Sequence, residues 1–166
     1  MVAGSSKKKL ARSFRSLTDV DRTSRARFVE LPANVTEDQL LGGIDLEATL
    51  ASGERRRAPG ALARADGGTL YVDSVNLLDA PSADVVATAL EDGFVRLERE
   101  GMSEWFSSRF VLIGTGYPAE GNISATLRDR VGLLVETSAG DSATENPDII
   151  ERVLEFEKDP TGFVEA

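Results

Sequence analysis

Residues 69–73, TLYVD, decide the fold. The run is short, apolar or β-branched almost to its end, and closed by an acid. Gly67-Gly68 precedes it as a turn signal. A run of this length and composition reads as a strand buried on both faces. Arg109 to Gly114, RFVLIG, reads the same way, and Leu133 to Glu136, LLVE, reads as a third such strand. Ala26 to Leu31, ARFVEL, is a further short strand, ended by Pro32. Helical signals separate these runs, which predicts a parallel α/β sheet covered on both faces. Ligands of such sheets gather at the carboxyl ends of the strands. Here those ends are Asp73, the segment after Gly114, and the region near Arg130, and they are expected to converge on one edge.

Between the strands the local signals are specific. Residues 8–17 place Leu10, Phe14 and Leu17 at helical spacing among basic residues, and 18–26 read as loop. Thr36 and Gln39 have the spacing of a capping box, opening a helix that ends at Leu41 with Gly42-Gly43 as its stop. Asp45 caps a second short helix, LEATLA, stopped by Gly53. Arg55 to Arg57 read as a basic turn, and Pro59 to Ala65 as one helical stretch. Ser82 is expected to cap a helix from about Ala83 to Leu90. Phe94 to Glu100 alternates apolar and charged residues and turns at Gly101, the pattern of a hairpin. Pro147 to Lys158 is an amphipathic helix.

Composition removes much of the enzyme repertoire. The 166 residues are the size of one domain, and 41% hydrophobic content can fill its core. There is no Cys, so there are no disulfides, thiolate metal sites or Cys nucleophiles. There is no His, so there is no His-dependent triad and no zinc site of the usual kind. No apolar run approaches the ~20 residues of a membrane span, and no secretory leader pattern opens the chain. Carboxylate, Lys, Arg and backbone chemistry remain, which suits phosphate handling. The net charge of -9 is uneven: residues 1–27 hold eight basic and two acidic residues, and the rest is strongly acidic. The acidic bulk argues against nucleic acid as the main partner.

Three places hold candidate chemistry. Gly4-Ser5-Ser6-Lys7-Lys8 has a Gly and then a Lys opening a helix, the outline of a phosphate loop. The Gly before the Lys is missing, Lys8 stands where a Mg²⁺-binding hydroxyl belongs, and composition alone favours a solvated basic helix start. Asp73 ends an apolar strand and can hold Mg²⁺ through water, or it can cap the turn that follows. Arg130, in Arg128-Asp129-Arg130, can reach a phosphate of a neighbouring subunit as an arginine finger, or form a surface ion pair with Asp129 or another acid.

The order of these stretches resembles a known family. LPANVTEDQLLGGIDLEATLASG, PGALARADGGTLYVDSVNLLD, VRLEREGMSEWFSSRFVLIGTGYPAEGNI, LRDRVGLLVE and the closing ERVLEFEKDPTGF are similar to the magnesium chelatase AAA+ family over about residues 8–163. The resemblance implies a P-loop NTPase core of three αβα layers with a parallel sheet in the order 5-1-4-3-2. It adds two family insertions, around residues 32–66 and at the hairpin 94–109. It implies a ring-forming module that uses ATP and Mg²⁺ to drive insertion of Mg²⁺ into protoporphyrin IX, on the route to chlorophyll and bacteriochlorophyll. Lys7 then matches the phosphate-loop Lys, with Ser6 and Lys8 replacing its Gly and hydroxyl neighbours. Asp73 matches the Mg²⁺-directing Asp, with Ser74 in place of the water-polarising Glu. Tyr117 replaces a sensor Asn, and Arg130 matches the arginine finger of an LxDR motif.

The three losses fall on hydrolysis in cis, while the residue acting in trans is kept. The expectation is therefore a D-type subunit: a non-hydrolysing platform in a hexameric ring that offers Arg130 to ATP on an I-type subunit. It is not catalytic by itself. The tetrapyrrole belongs to the large H-type subunit. The compartment implied is the cytoplasm, or the plastid stroma in a phototrophic eukaryote. Residues 1–166 are expected to be a single, partial AAA+ core: only Met1 to Ala3 precede the loop, so the family's first strand is not expected, nor are the helical lid and integrin-like domain that follow the core in the D subunit. Two other readings stand beside this one, a divergent but active I-type ATPase and a chaperone-like AAA+ protein of the MoxR type. Trp105 and Phe106 form an apolar pair that either packs the hairpin on the body or contacts another subunit.

Overall fold

The computed structural model describes residue 11 and residues 27–54, 56–99, 102–136, 147–159 and 162–163. Its strands are β1 (Phe28–Leu31), β2 (Gly42–Asp45), β3 (Arg56–Pro59), β4 (Thr69–Asp73), β5 (Phe94–Arg99), β6 (Met102–Ser107) and β7 (Val111–Thr115). Its helices are α1 (Glu37–Leu41), α2 (Leu46–Ser52), α3 (Ala61–Arg64), α4 (Ala80–Asp92), α5 (Ala125–Arg128) and α6 (Pro147–Lys158). The stretches 8–10 and 12–26, read as helix and loop, lie outside the described residues.

The predicted parallel sheet is present, with β4 central in the order β1-β4-β7. Thr69 pairs with Phe28 on one side and Val111 on the other, and Asp73 pairs with Thr115. TLYVD is central because it is apolar on both faces: Leu70, Tyr71 and Val72 are fully buried. Leu70 and Val72 share one face with Leu31 and pack on Leu62, Val86, Ala87, Ala89 and Leu127. Two antiparallel strand pairs, β2–β3 joined through α2 and the β5–β6 hairpin, stand beside this sheet. An ion pair joins them, Arg57 Nη1 to Glu104 Oε2 at 2.7 Å, without the alignment of a hydrogen bond.

The caps follow the sequence closely. Thr36 and Gln39 form a reciprocal capping box on α1. Asp45 accepts from the Ala48 amide at the start of α2, and Gly53 ends that helix at φ 69°. Helix α4 begins earlier than expected. Asp79, not Ser82, is its cap and accepts from the Ser82 amide at 2.8 Å. Pro81 then lies in the first turn, where its missing N–H costs nothing.

Three expectations need correction. Gly42-Gly43 does not simply stop α1: it opens β2, because residues 56–59 lie antiparallel against it. The basic turn at Arg55–Arg57 is accordingly strand β3 from Arg56, and the helix expected from Pro59 begins at Ala61. Gly42 and Gly60 meet where these backbones cross: a Cβ on Gly60 would lie 2.3 Å from the Leu40 carbonyl oxygen and 2.4 Å from the Gly42 nitrogen. Finally, Leu133 to Glu136 is not a strand. No other strand pairs with it among the described residues, and a strand needs a hydrogen-bonded neighbour. Leu133 is 79% exposed. Strand β7 is the sheet edge among the described residues, and its first residue, Val111, is 58% exposed rather than buried.

Asp66 fastens the exit of the β5–β6 hairpin to the approach to β4. Its Oδ1 accepts from the Arg109 amide at 2.9 Å and from the Ser107 hydroxyl at 2.7 Å. The Arg109 amide first, and then the Ser107 hydroxyl, hold the Asp66 carboxyl below the ordinary value. The folded state therefore gains from the ionised form above the ordinary Asp pKa of about 4, and loses that gain as pH falls through the depressed value. Asp66→Asn keeps the acceptor and removes the charge. At this half-exposed site it should cost at most about 1 kcal/mol at pH 7. Urea titrations at pH 7 and pH 3 should show the gap between wild type and variant closing in acid.

Candidate functional site

The carboxyl edge of the sheet assembles a polar cluster from residues far apart in sequence. Asp73 ends β4, and its register partner Thr115 ends β7. The Thr115 hydroxyl donates to Asp73 Oδ1 at 3.2 Å. With that proton committed, the Tyr71 hydroxyl donates to Thr115 Oγ1 at 3.0 Å, and it lies 3.5 Å from Asp73 Oδ1. Alternation along β4 puts Tyr71 and Asp73 on one face, which is why a buried Tyr can end in this cluster.

The chain then turns sharply. Ser74 adopts a left-handed conformation at φ 56°, ψ 53°, the only non-glycine residue with positive φ among those described. The turn carries Asn76 to the end of β7. Its Oδ1 accepts from the Tyr117 amide at 3.4 Å, and its Nδ2 donates to the Tyr117 carbonyl at 3.2 Å. A Cβ on Gly116 would sit 2.7 Å from Asn76 Oδ1, so a larger residue there would push the Asn76 amide aside. Tyr117 is thus held by its backbone at the position read as a sensor. Sequence reasoning missed Asn76. The available signal was an amide side chain in the turn directly after a strand-end acid.

Arg130 lies elsewhere, so the expected convergence of all three candidates is not found. It follows α5, and its guanidinium is held by Glu91 in the last turn of α4. Nε donates to Glu91 Oε2 at 3.0 Å, a second nitrogen contacts the same oxygen, and Nη1 donates to the Thr126 carbonyl at 3.0 Å. Helix α4 carries the chain about 20 Å back across the sheet. It ends at Gly93, where a Cβ would be 3.2 Å from Arg109, just ahead of β7. Glu91 and Arg130 are therefore near the amino-terminal edge, opposite Asp73. The ion pair read as one option for Arg130 exists, with Glu91 rather than Asp129 as its acid. Both side chains remain open to solvent.

Gly4 and Lys7 lie outside the described residues. At the described part of the site, Asp73 is a half-exposed strand-end carboxylate, and oxygen donors of this kind suit a hard cation such as Mg²⁺. Asp73 would hold such an ion alongside a nucleotide, and MgATP would supply the phosphoanhydride bond. Among the described residues no group of three or more acids gathers as a cage for a lone cation. No helix among them is long and apolar enough to cross a membrane.

Comparison with known proteins places this geometry. The family described as AAA domain (dynein-related subfamily) matches residues 2–131. The magnesium-chelatase 67 kDa subunit of Chlorobaculum parvum is 47% identical over 80% of this chain and 21% of its own length. The magnesium-chelatase subunit ChlI of Cyanidium caldarium is 40% identical over 85% of this chain and 40% of its own length. An uncharacterised protein of Mycobacterium tuberculosis is 41% identical over 97% of this chain and 26% of its own length. The chain thus spans between about a fifth and two fifths of these relatives. Among solved structures, the complex between subunits BchI and BchD of magnesium chelatase contains a chain that is 37% identical. That match has a TM-score of 0.63 and covers 84% of this chain and 44% of the other. The parallel α/β core with its two antiparallel strand pairs is an AAA core.

Proposed function

This chain belongs to the AAA domain family and, within it, to the magnesium chelatase AAA+ proteins, and we propose on that footing that it is the D-type module. In this reading it is a non-hydrolysing ring platform for ATP-driven insertion of Mg²⁺, the substrate ion, into protoporphyrin IX. The observation that carries the reading is Ser74. Directly after Asp73, where hydrolysis needs a carboxylate to polarise water, stands a hydroxyl in a left-handed turn. Lys8 in place of a Mg²⁺-binding hydroxyl adds to it. Identity is higher to the 67 kDa subunit, at 47%, than to ChlI, at 40%. The partners are an I-type ATPase subunit in the ring and an H-type subunit that holds the tetrapyrrole, in the cytoplasm or plastid stroma.

The reading predicts that the purified chain releases phosphate from MgATP at the background rate, and that Lys7→Ala releases it at the same rate. Robust turnover that Lys7→Ala abolishes would overturn it. Such turnover would favour an active ATPase of I type, a second reading supported by the Tyr71–Thr115–Asp73 cluster at the carboxyl edge of the sheet.

A further inference from the structure

Arg130 is committed within its own chain. A guanidinium grips an anion through two N–H groups at once, and the edge formed by Nε and Nη2 is one such fork. Glu91 occupies that edge: Nε donates to Glu91 Oε2 at 3.0 Å, and Nη2 contacts the same oxygen. Nη1 donates to the Thr126 carbonyl at 3.0 Å. All three nitrogens are therefore engaged. The same stretch of chain is fastened a second time. The Thr126 hydroxyl donates to Asp84 Oδ1 at 2.7 Å, about two turns before Glu91 on the same face of α4. Leu127, fully buried in the core, fixes the backbone between these ties. The end of α4 also has its own use for Arg130. The last turn carries Glu91 and Asp92 and no basic residue. Two carboxylates thus stand at the negative end of the helix dipole, and Arg130 supplies the cation that this end lacks.

We propose that Glu91 is a positioning residue that restrains Arg130, keeping its fork on this chain until a phosphate of the neighbour's nucleotide displaces the carboxylate. The inference rests on Arg130 acting on a neighbour's nucleotide, and it adds what controls that action. Release exchanges one anion for another, so the guanidinium keeps an anionic partner throughout. The exchange runs toward the nucleotide because a phosphate group carries more negative charge than a carboxylate. The restraint is shallow. Glu91 is 62% exposed and Arg130 32%, and a pair this open to water is weak. Removing it should change rates a few-fold, whereas losing the arginine itself costs orders of magnitude.

Glu91→Gln keeps the size of the side chain and removes its charge. On the chain alone, the Arg130 Nε–H proton should exchange with water about threefold faster in this variant, read by NMR of the arginine side chain. With purified I-type subunit added, the partner's kcat for MgATP should rise about threefold with KM unchanged. In an Arg130→Ala background the same substitution should change nothing, because Glu91 then has nothing to restrain. A thermal melt checks that Glu91→Gln leaves the fold intact. An unchanged exchange rate would show that Glu91 does not hold the guanidinium, and would overturn the restraint. A fall in kcat would show that Glu91 aims Arg130 rather than restrains it, overturning the restraint and leaving the proposed function standing. An unchanged kcat, with Arg130→Ala still slowing the partner, would do the same. Partner turnover indifferent to Arg130→Ala, or absence of any complex, would overturn the function and the restraint together.

Discussion

Arg130→Ala is expected to lower turnover by about 10³-fold at those nucleotide sites of an I-type partner that face this chain, the scale on which arginine fingers act. The loss should fall on kcat, with the KM for ATP little changed, because the guanidinium stabilises charge that develops in the transition state. Arg130→Lys should not restore it, since an ammonium cannot present the planar fork. The structure gives the control. Arg130 is held by Glu91 and Thr126 on an exposed face, so its removal breaks a surface ion pair. It leaves a carboxylate in the last turn of α4, where the helix dipole disfavours it. Together these cost about 1 kcal/mol or less. A rate loss of about 10³ corresponds to roughly 4 kcal/mol of barrier, so a thermal melt beside the phosphate-release assay separates the two. Unchanged partner turnover in an intact mixed complex would remove Arg130 from the mechanism.

The largest effect on stability is expected at Gly60. An alanine there would place its Cβ 2.3 Å from both the Leu40 carbonyl oxygen and the Leu41 carbonyl carbon. Those atoms are backbone, so no rotamer change can relieve the contact. The crossing of α1 with the start of α3 must open, and Leu40 and Leu62, both fully buried, move with it. The cost should be about 3–5 kcal/mol, at the severe end for overpacking, which lowers Tm by about 10 °C. Gly53→Ala is the comparison. Its φ is 69° and nothing lies within 4 Å of the added methyl. Only left-handed strain remains, about 1 kcal/mol. Gly60 itself is extended, at φ -70°, so no left-handed strain adds to its cost, and equal losses at the two positions would show that the close approach relaxes cheaply.

What was legible in the sequence is what is local. The capping box at Thr36 and Gln39, the Asp45 cap and the Gly53 stop each need only a few consecutive residues, and each forms as read. TLYVD declared its burial by composition alone. The misreadings arise where the partner decides. Gly42-Gly43 carries the same letters whether it stops a helix or opens a strand, and only residues 56–59 across from it settle the matter. LLVE has strand composition at Leu133–Glu136 but no paired neighbour among the described residues. At the site, the place of Asp73 on the carboxyl edge was legible because it closes an apolar run. Asn76 and Thr115 join it through tertiary contact alone. The Glu91 partner of Arg130 depends on how α4 recrosses the sheet, which no spacing within the chain reveals.

The parallel order β1-β4-β7 also sets a schedule for synthesis. Hairpins and capped short helices close within microseconds once their residues are free. The sheet cannot close so early, because Phe28 and Thr115 bracket it. At roughly 5–20 residues per second, Val111–Thr115 leaves the ribosome several seconds after Phe28–Leu31. Through that interval Leu70, Tyr71 and Val72 have at most one strand beside them. The nascent chain thus carries its most deeply buried strand half-covered until β7 arrives, and that is the window in which a chaperone would find it.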